Sequence, residues 1–149
     1  MTGSGISDRR VLTAGLRVFA AFAILTGALD LSFGSALLAH SGARLGDAAT
    51  DPLLDSQMRY LVATWAGFGG VLWWAAGDLV SRGTVLKILA AAVFAGGLGR
   101  LASEMVMGPS GVLVKGFIAL ELLGPPVVLL FRARLVQRLE RNQASLAED

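Results

Sequence analysis

The chain has 149 residues, 54% of them apolar and only 16% charged, with a net charge of +2. A water-soluble domain of this length usually carries about 25% charged residues. Here the apolar excess gathers into blocks of the roughly 20 residues that a helix needs to cross a bilayer. With no cysteine, disulfides, thiol nucleophiles, iron–sulfur clusters and thiolate zinc sites are excluded. A single histidine, His40, with scattered acids gives no metal-ligand spacing, so neither metal nor cofactor is expected. The basic residues lie at the chain ends and in one loop, where they read as topology signals and not as a nucleic-acid surface.

Met1–Arg10 is polar and ends in Arg9-Arg10 ahead of an apolar stretch, a pattern shared with signal peptides and twin-arginine signals. Three further apolar blocks follow, which argues for a retained first span, expected within Val18–Leu38. Arg17 stands at its inner end, where a long side chain can snorkel to the headgroups. Residues 39–54 are polar and glycine-bearing and read as an external loop that includes Arg44. His40 is expected at its surface. Asp51-Pro52 reads as an N-cap followed by proline at the first helical position.

The second span is expected over Arg59–Leu79, with Trp73 and Trp74 near its far end, where amphipathic rings favour the interface. Trp65 is expected in the bundle or facing lipid. Asp78, Ser81, Arg82 and Gly83 make a short turn. The third span is expected over Val85–Val106, the tight turn Gly108-Pro109-Ser110-Gly111 follows, and the fourth span runs over Val112–Phe131. Pro125-Pro126 should kink it, because two backbone donors are missing there. Residues 132–149 form a charged cytoplasmic tail. Ala63, Gly67 and Gly70 in the second span, and Ala92, Gly96, Gly97 and Gly99 in the third, are small residues that let helices approach closely in lipid.

With four spans, the N-terminus, the 79–85 turn and the C-terminus share one side. That side holds Arg9, Arg10, Arg17, Arg82, Lys87, Arg132, Arg134, Arg138 and Arg141, whereas the other holds Arg44, Arg59, Arg100 and Lys115. The excess places both termini in the cytoplasm of a multi-pass cell-membrane protein. The expected class is an all-α integral membrane four-helix bundle forming a single membrane domain over 1–149.

The ionisable residues within the spans are one-sided. Asp30, Arg59, Arg100, Glu104, Lys115 and Glu121 all fall in the outer half of the bilayer or at its outer edge. Counting from the Gly108-Pro109 turn at 1.5 Å per residue, Arg100 and Glu121 lie roughly 14 and 18 Å deep, so they are expected to pair. Glu104, one turn from Arg100, can share that cation, and Asp55 and Arg59 have the same spacing. Asp30 needs a partner, for which Arg59 or Arg100 is in reach. Lys115 is expected to snorkel outward.

Three stretches resemble a known family. They are Leu54-Asp55-Ser56-Gln57-Met58-Arg59-Tyr60 leading to Trp65-Ala66-Gly67; Gly96-Gly97-Leu98-Gly99-Arg100-Leu101-Ala102-Ser103 followed by Gly108-Pro109; and Glu121-Leu122-Leu123-Gly124-Pro125-Pro126. Together they resemble the small four-helix bacterial membrane proteins grouped as domain of unknown function 4345, over most of Leu54–Arg132. The resemblance implies the four-helix fold and points to Arg59, Arg100 and Glu121 as motif positions. It implies no activity.

From the residues themselves, an intramembrane charge is a functional-site hypothesis by default. The leading expectation is therefore an outward-facing charged pocket of Asp30, Asp55, Arg59, Arg100, Glu104 and Glu121 that binds a small polar or amphipathic ligand such as a lipid headgroup. Arg59 and Arg100 would hold an anionic group, and Glu121 would be the acid or base if there is catalysis. One alternative is an accessory or scaffold subunit, homo-oligomeric or in a membrane complex, whose buried charges only fix helix register. Another is a small oligomeric proton-coupled transporter or intramembrane isomerase that uses Glu121.

Overall fold

The structure is a computed structural model that describes residues 3–36 and 46–147. His40 and Arg44 lie outside the described residues. Four long helices follow one another: α1 (Gly3–Phe33), α2 (Pro52–Ala75), α3 (Gly83–Met107) and α4 (Val112–Ala147), with a short 3-10 turn at Gly46–Thr50 ahead of α2. Among the described residues there is no strand, and the protein is all-α.

Three helical segments are long and apolar enough to cross a membrane: Asp8–Phe33, Gly83–Met107 and Val112–Asn142. The 24 residues of α2 are long enough, but Arg59, Tyr60, Thr64, three glycines and three tryptophans dilute its apolarity, and it is not among them. The helices overrun the spans read from the sequence. α1 begins at Gly3 and α4 continues to Ala147, whereas α2 starts at Pro52 and stops at Ala75, ahead of Leu79.

Local chemistry accounts for the ends. Gly34 takes φ 58°, open to glycine at little cost, and its N–H returns to the Asp30 carbonyl at 2.7 Å, which closes α1. Asp51 caps α2 as its sequence context suggests, its Oδ1 accepting the Leu53 and Leu54 N–H groups at 2.7 and 3.0 Å. Gly108, at φ 95°, ends α3 with its N–H on the Glu104 carbonyl at 3.1 Å. α4 runs unbroken through Pro125 and Pro126.

The chain divides into two compact units, Gly15–Trp74 on one hand and the residues up to Ala14 with those from Ala75 onward on the other. In the first, α1 and α2 pair antiparallel. A Cβ on Gly27 would stand 2.7 Å from the Val62 carbonyl, and one on Gly69 would stand 2.8 Å from the Ala20 carbonyl. The close approach therefore runs through Gly27 and Gly69. Gly67 and Gly70, read above as packing residues, have open space where a Cβ would be. Neighbouring helical positions differ by about 100°, so one residue of register moves a glycine off the contact.

The aromatic residues of this unit are tied in. Trp65 Nε1–H donates to Thr26 Oγ1 at 3.1 Å, meets Phe19 edge-on at 5.9 Å and stacks on Phe68 at 5.2 Å. Arg17 lies over the Trp73 ring, 5.5 Å from its centroid.

In the second unit α3 and α4 pair antiparallel through Gly97, where a Cβ would lie 2.9 Å from Glu121 Cβ. Arg132, read above as a topology signal, has a packing role there. Its Nε–H donates to the Leu79 carbonyl at 2.7 Å and its Nη2–H to the Val80 carbonyl at 3.2 Å, and the guanidinium lies against Gly83, where a Cβ would fall 1.6 Å from Nη2. It thus holds α4 to the turn after α2. Arg132→Ala should lower stability by about 2 kcal/mol, the scale of losing charge-assisted bonds to carbonyls, read as a lower detergent-solubilised unfolding midpoint. Arg132→Lys should recover only part, lacking the planar fork.

Burial follows the pattern of a protein in lipid. Ala20, Ala23, Ala75 and Ala76 are wholly or almost wholly buried, whereas Val18, Leu25, Ile88, Leu113 and Leu123 are each more than half exposed. In water so many exposed aliphatic side chains would drive association. In a bilayer they are solvated, and small residues carry the helix contacts.

Candidate functional site

The six residues expected to line one pocket divide into a cluster in each unit. In the first, Arg59 Nε pairs with Asp55 Oδ2 at 2.7 Å, and its Nη1–H donates to the Leu31 carbonyl at 2.6 Å. Asp55 Oδ1 accepts the Ser35 N–H at 3.0 Å and the Ser35 hydroxyl at 3.3 Å. The first turns of α2 therefore clamp the end of α1. Gly34 leaves the room for it, since a Cβ there would fall 2.0 Å from Asp55 Oδ1. Asp55 and Arg59 are four apart on one helix face, which brings the two side chains together. That geometry takes Arg59 away from Asp30, which makes no ion pair among the described residues.

Asp55 precedes the stretch expected to cross the membrane. The Arg59 guanidinium, then the Ser35 N–H, hold its carboxyl below the ordinary 3.8. A carboxyl lowered in the folded state adds stability above its unfolded pKa and loses it as pH falls through the folded one. Protection of the Ser35 amide against hydrogen exchange should be flat from neutral pH to about 4 and drop below that. Asp55→Asn should lower it above about pH 4 and flatten the dependence.

In the second unit Glu104 plays a parallel part. Its Oε1 accepts the Ser110 N–H at 3.1 Å and the Ser110 hydroxyl in a short contact, which ties the α3–α4 turn. Glu104 is thus engaged by Ser110 and does not share Arg100. In both hairpins a helical carboxylate takes the N–H and hydroxyl of one serine in the connection.

Arg100 and Glu121 come together, Nε to Oε2, at 3.1 Å. Gly97, one turn before Arg100, brings α4 in close at Glu121. The contact is an ion pair by distance but is not aligned as a hydrogen bond. Glu121 Oε2 is shielded from solvent and has no hydrogen-bond donor among the described residues. The two side chains differ in access, 17% exposed for Glu121 and 50% for Arg100. Below Glu121, Pro125 and Pro126 have no N–H to give the carbonyls of Glu121 and Leu122, four residues back. A shielded carboxylate, a half-open cation and two carbonyls lacking their usual helical donors thus meet within one turn of α4.

The remaining charges are peripheral. Lys115 is exposed. Asp78 closes the turn before α3, its Oδ1 accepting the Val80 and Ser81 N–H groups at 3.1 and 3.0 Å. Ser35, Gly34, Ser110 and Arg132 complete the clamps; sequence passed over the first two and marked Ser110 only as a turn residue and Arg132 only as a topology signal. Gly-Ser at a helix end was the available signal for the first two.

No curated protein and no solved structure matches the chain. The model of the family described as Domain of unknown function (DUF4345) matches residues 11–132, which spans α1 through most of α4 and contains both clusters. The chain therefore belongs to the DUF4345 family.

Proposed function

We propose that the protein crosses the cell membrane four times, both ends in the cytoplasm, and binds a small polar or amphipathic ligand in the outer half of the bilayer at Arg100 and Glu121. The observation that carries the ligand reading is the shielded Glu121 oxygen, which has no hydrogen-bond donor among the described residues, beside a half-exposed arginine. A pair serving only to fix helix register should satisfy both partners, because a buried charge left short of hydrogen bonds is costly. Asp55, Arg59 and Glu104 have other employment in the clamps, so the ligand reading narrows to this pair. Glu121 is the acid or base of the site if chemistry occurs there.

The topology reading is supported by the cation asymmetry and by the ion pair of Asp8 with Arg138, which joins the start of α1 to the tail of α4. The chain has no cysteine, so single cysteines report sides cleanly. Thr50→Cys should react with an impermeant maleimide on intact spheroplasts, and Ser81→Cys only after lysis. The reverse pattern would overturn the orientation.

The ligand reading is tested by thermal unfolding in detergent across a panel of carboxylates, phosphates and amphiphiles. Stabilisation seen in the wild type should be lost in Glu121→Gln and Arg100→Gln, with both variants folded. If no compound distinguishes wild type from the variants, the pair is a register device.

A further inference from the structure

Arg100 offers more hydrogen-bonding capacity than the protein uses. Its Nε faces Glu121, and its two terminal nitrogens have no acceptor among the described residues. It sits seven residues inside the end of α3, roughly 10 Å along the helix. Free guanidinium donors at that depth are strongly disfavoured in hydrocarbon without an acceptor.

The surface beside it is specific too. Gly96, one turn deeper along α3, and Gly99 both have open space where a Cβ would stand, and Ala92 a further turn down is exposed. Arg100, Gly96 and Ala92 follow at four-residue steps, so they line one stripe. A cationic fork therefore stands at the head of a smooth apolar strip running toward the inner half of the span. A free anion would use the fork alone, whereas an amphiphile would use both.

We propose, building on the ligand reading above, that this face of α3 binds an amphiphile with an oxyanion head, a carboxylate or phosphate. The head takes the two terminal nitrogens of Arg100 as a bidentate pair. The chain lies along Gly96 and Ala92. Glu121, by holding Nε, orients the fork.

The test uses the full chain in a non-ionic detergent, with thermal unfolding titrated against four probes: sodium oleate, 1-oleoyl lysophosphatidate, neutral monoolein and inorganic phosphate. Oleate and lysophosphatidate should raise the midpoint saturably, and monoolein and inorganic phosphate at matched concentration should not. Arg100→Gln should weaken oleate about tenfold or more, the scale of losing a charge-assisted bidentate contact. Arg100→Lys should fall between the two. Gly96→Leu should keep the unliganded midpoint and lose the oleate response.

Inorganic phosphate acting as well as oleate, and failing in Arg100→Gln, would overturn the amphiphile and leave the polar-ligand reading standing. A wild type that answers to none of the four overturns the amphiphile alone, and the broader panel then decides the ligand reading. An unchanged oleate response in Gly96→Leu overturns the chain path. A Gly96→Leu protein that does not fold shows that the face is packed against protein, which overturns the proposal as well.

Discussion

Leucine in place of Gly97 should destabilise the α3–α4 hairpin severely, whereas leucine at Gly96 should leave the unfolding midpoint within error. The two glycines are adjacent, equally apolar in setting and indistinguishable by composition. A Cβ at Gly97 would meet Glu121 Cβ at 2.9 Å and Leu122 Cδ2 at 3.0 Å, whereas at Gly96 it meets nothing within 4 Å. Forcing bulk into a packed contact costs about 1–3 kcal/mol, and leucine adds three carbons beyond that first clash. The hairpin would have to separate, taking the Arg100–Glu121 contact with it. Gly97→Ala should be intermediate, since Leu122 can turn aside but the Cβ of Glu121 moves only with its backbone. Unfolding of purified protein in one detergent, followed by helical circular dichroism, measures the series. Equal behaviour at positions 96 and 97 would mean that the helices face each other differently.

The second large effect belongs to the ion pair. Removing one partner of a buried pair costs about 3–5 kcal/mol, and the half-open Arg100 brings the expected loss for Glu121→Ala down to roughly 1–3 kcal/mol. Glu121→Gln keeps the shape and should cost less. Its amide can donate, but it leaves Arg100 without a counter-charge. The exchange Arg100→Glu with Glu121→Arg should recover part of the loss of either single change, because the two positions face each other at 3.1 Å. A double-mutant cycle isolates that coupling. A coupling near zero would mean that Arg100 is satisfied by lipid or water, and Glu121 would then lose its place in the site.

Particular residues show how far the sequence could be read. Apolar blocks, turn residues and caps are local signals. Asp51-Pro52 and the Gly108 turn therefore stand where composition and spacing put them. The pairing of Arg100 with Glu121 was also legible, because both can be counted in residues from one tight turn, and helical rise converts the count to depth. Helix length was less so. α1 and α4 run on through polar residues because neither 3–10 nor 132–147 contains a proline to break the helix, whereas a span ends where apolarity does.

Rotation about the helix axis, and rivalry between acceptors, were decided only in three dimensions. Sequence points to Gly67 and Gly70 as packing residues and passes over Gly69. Contact selects Gly69, since one residue turns the face by about 100°. Sequence likewise offers Arg59 to Asp30 or Asp55 and offers Arg100 to Glu104 or Glu121. The fold settles each by what else stands near: Ser35 and the Leu31 carbonyl gather Asp55 and Arg59 into a clamp, and Ser110 takes Glu104. By itself the sequence determined an all-helical chain with membrane-length apolar segments, because helix propensity and apolarity are set residue by residue. Which charges hold turns together, and which one is left half-open beside a shielded carboxylate, depended on distances that the chain order does not fix, and only tertiary structure decides those.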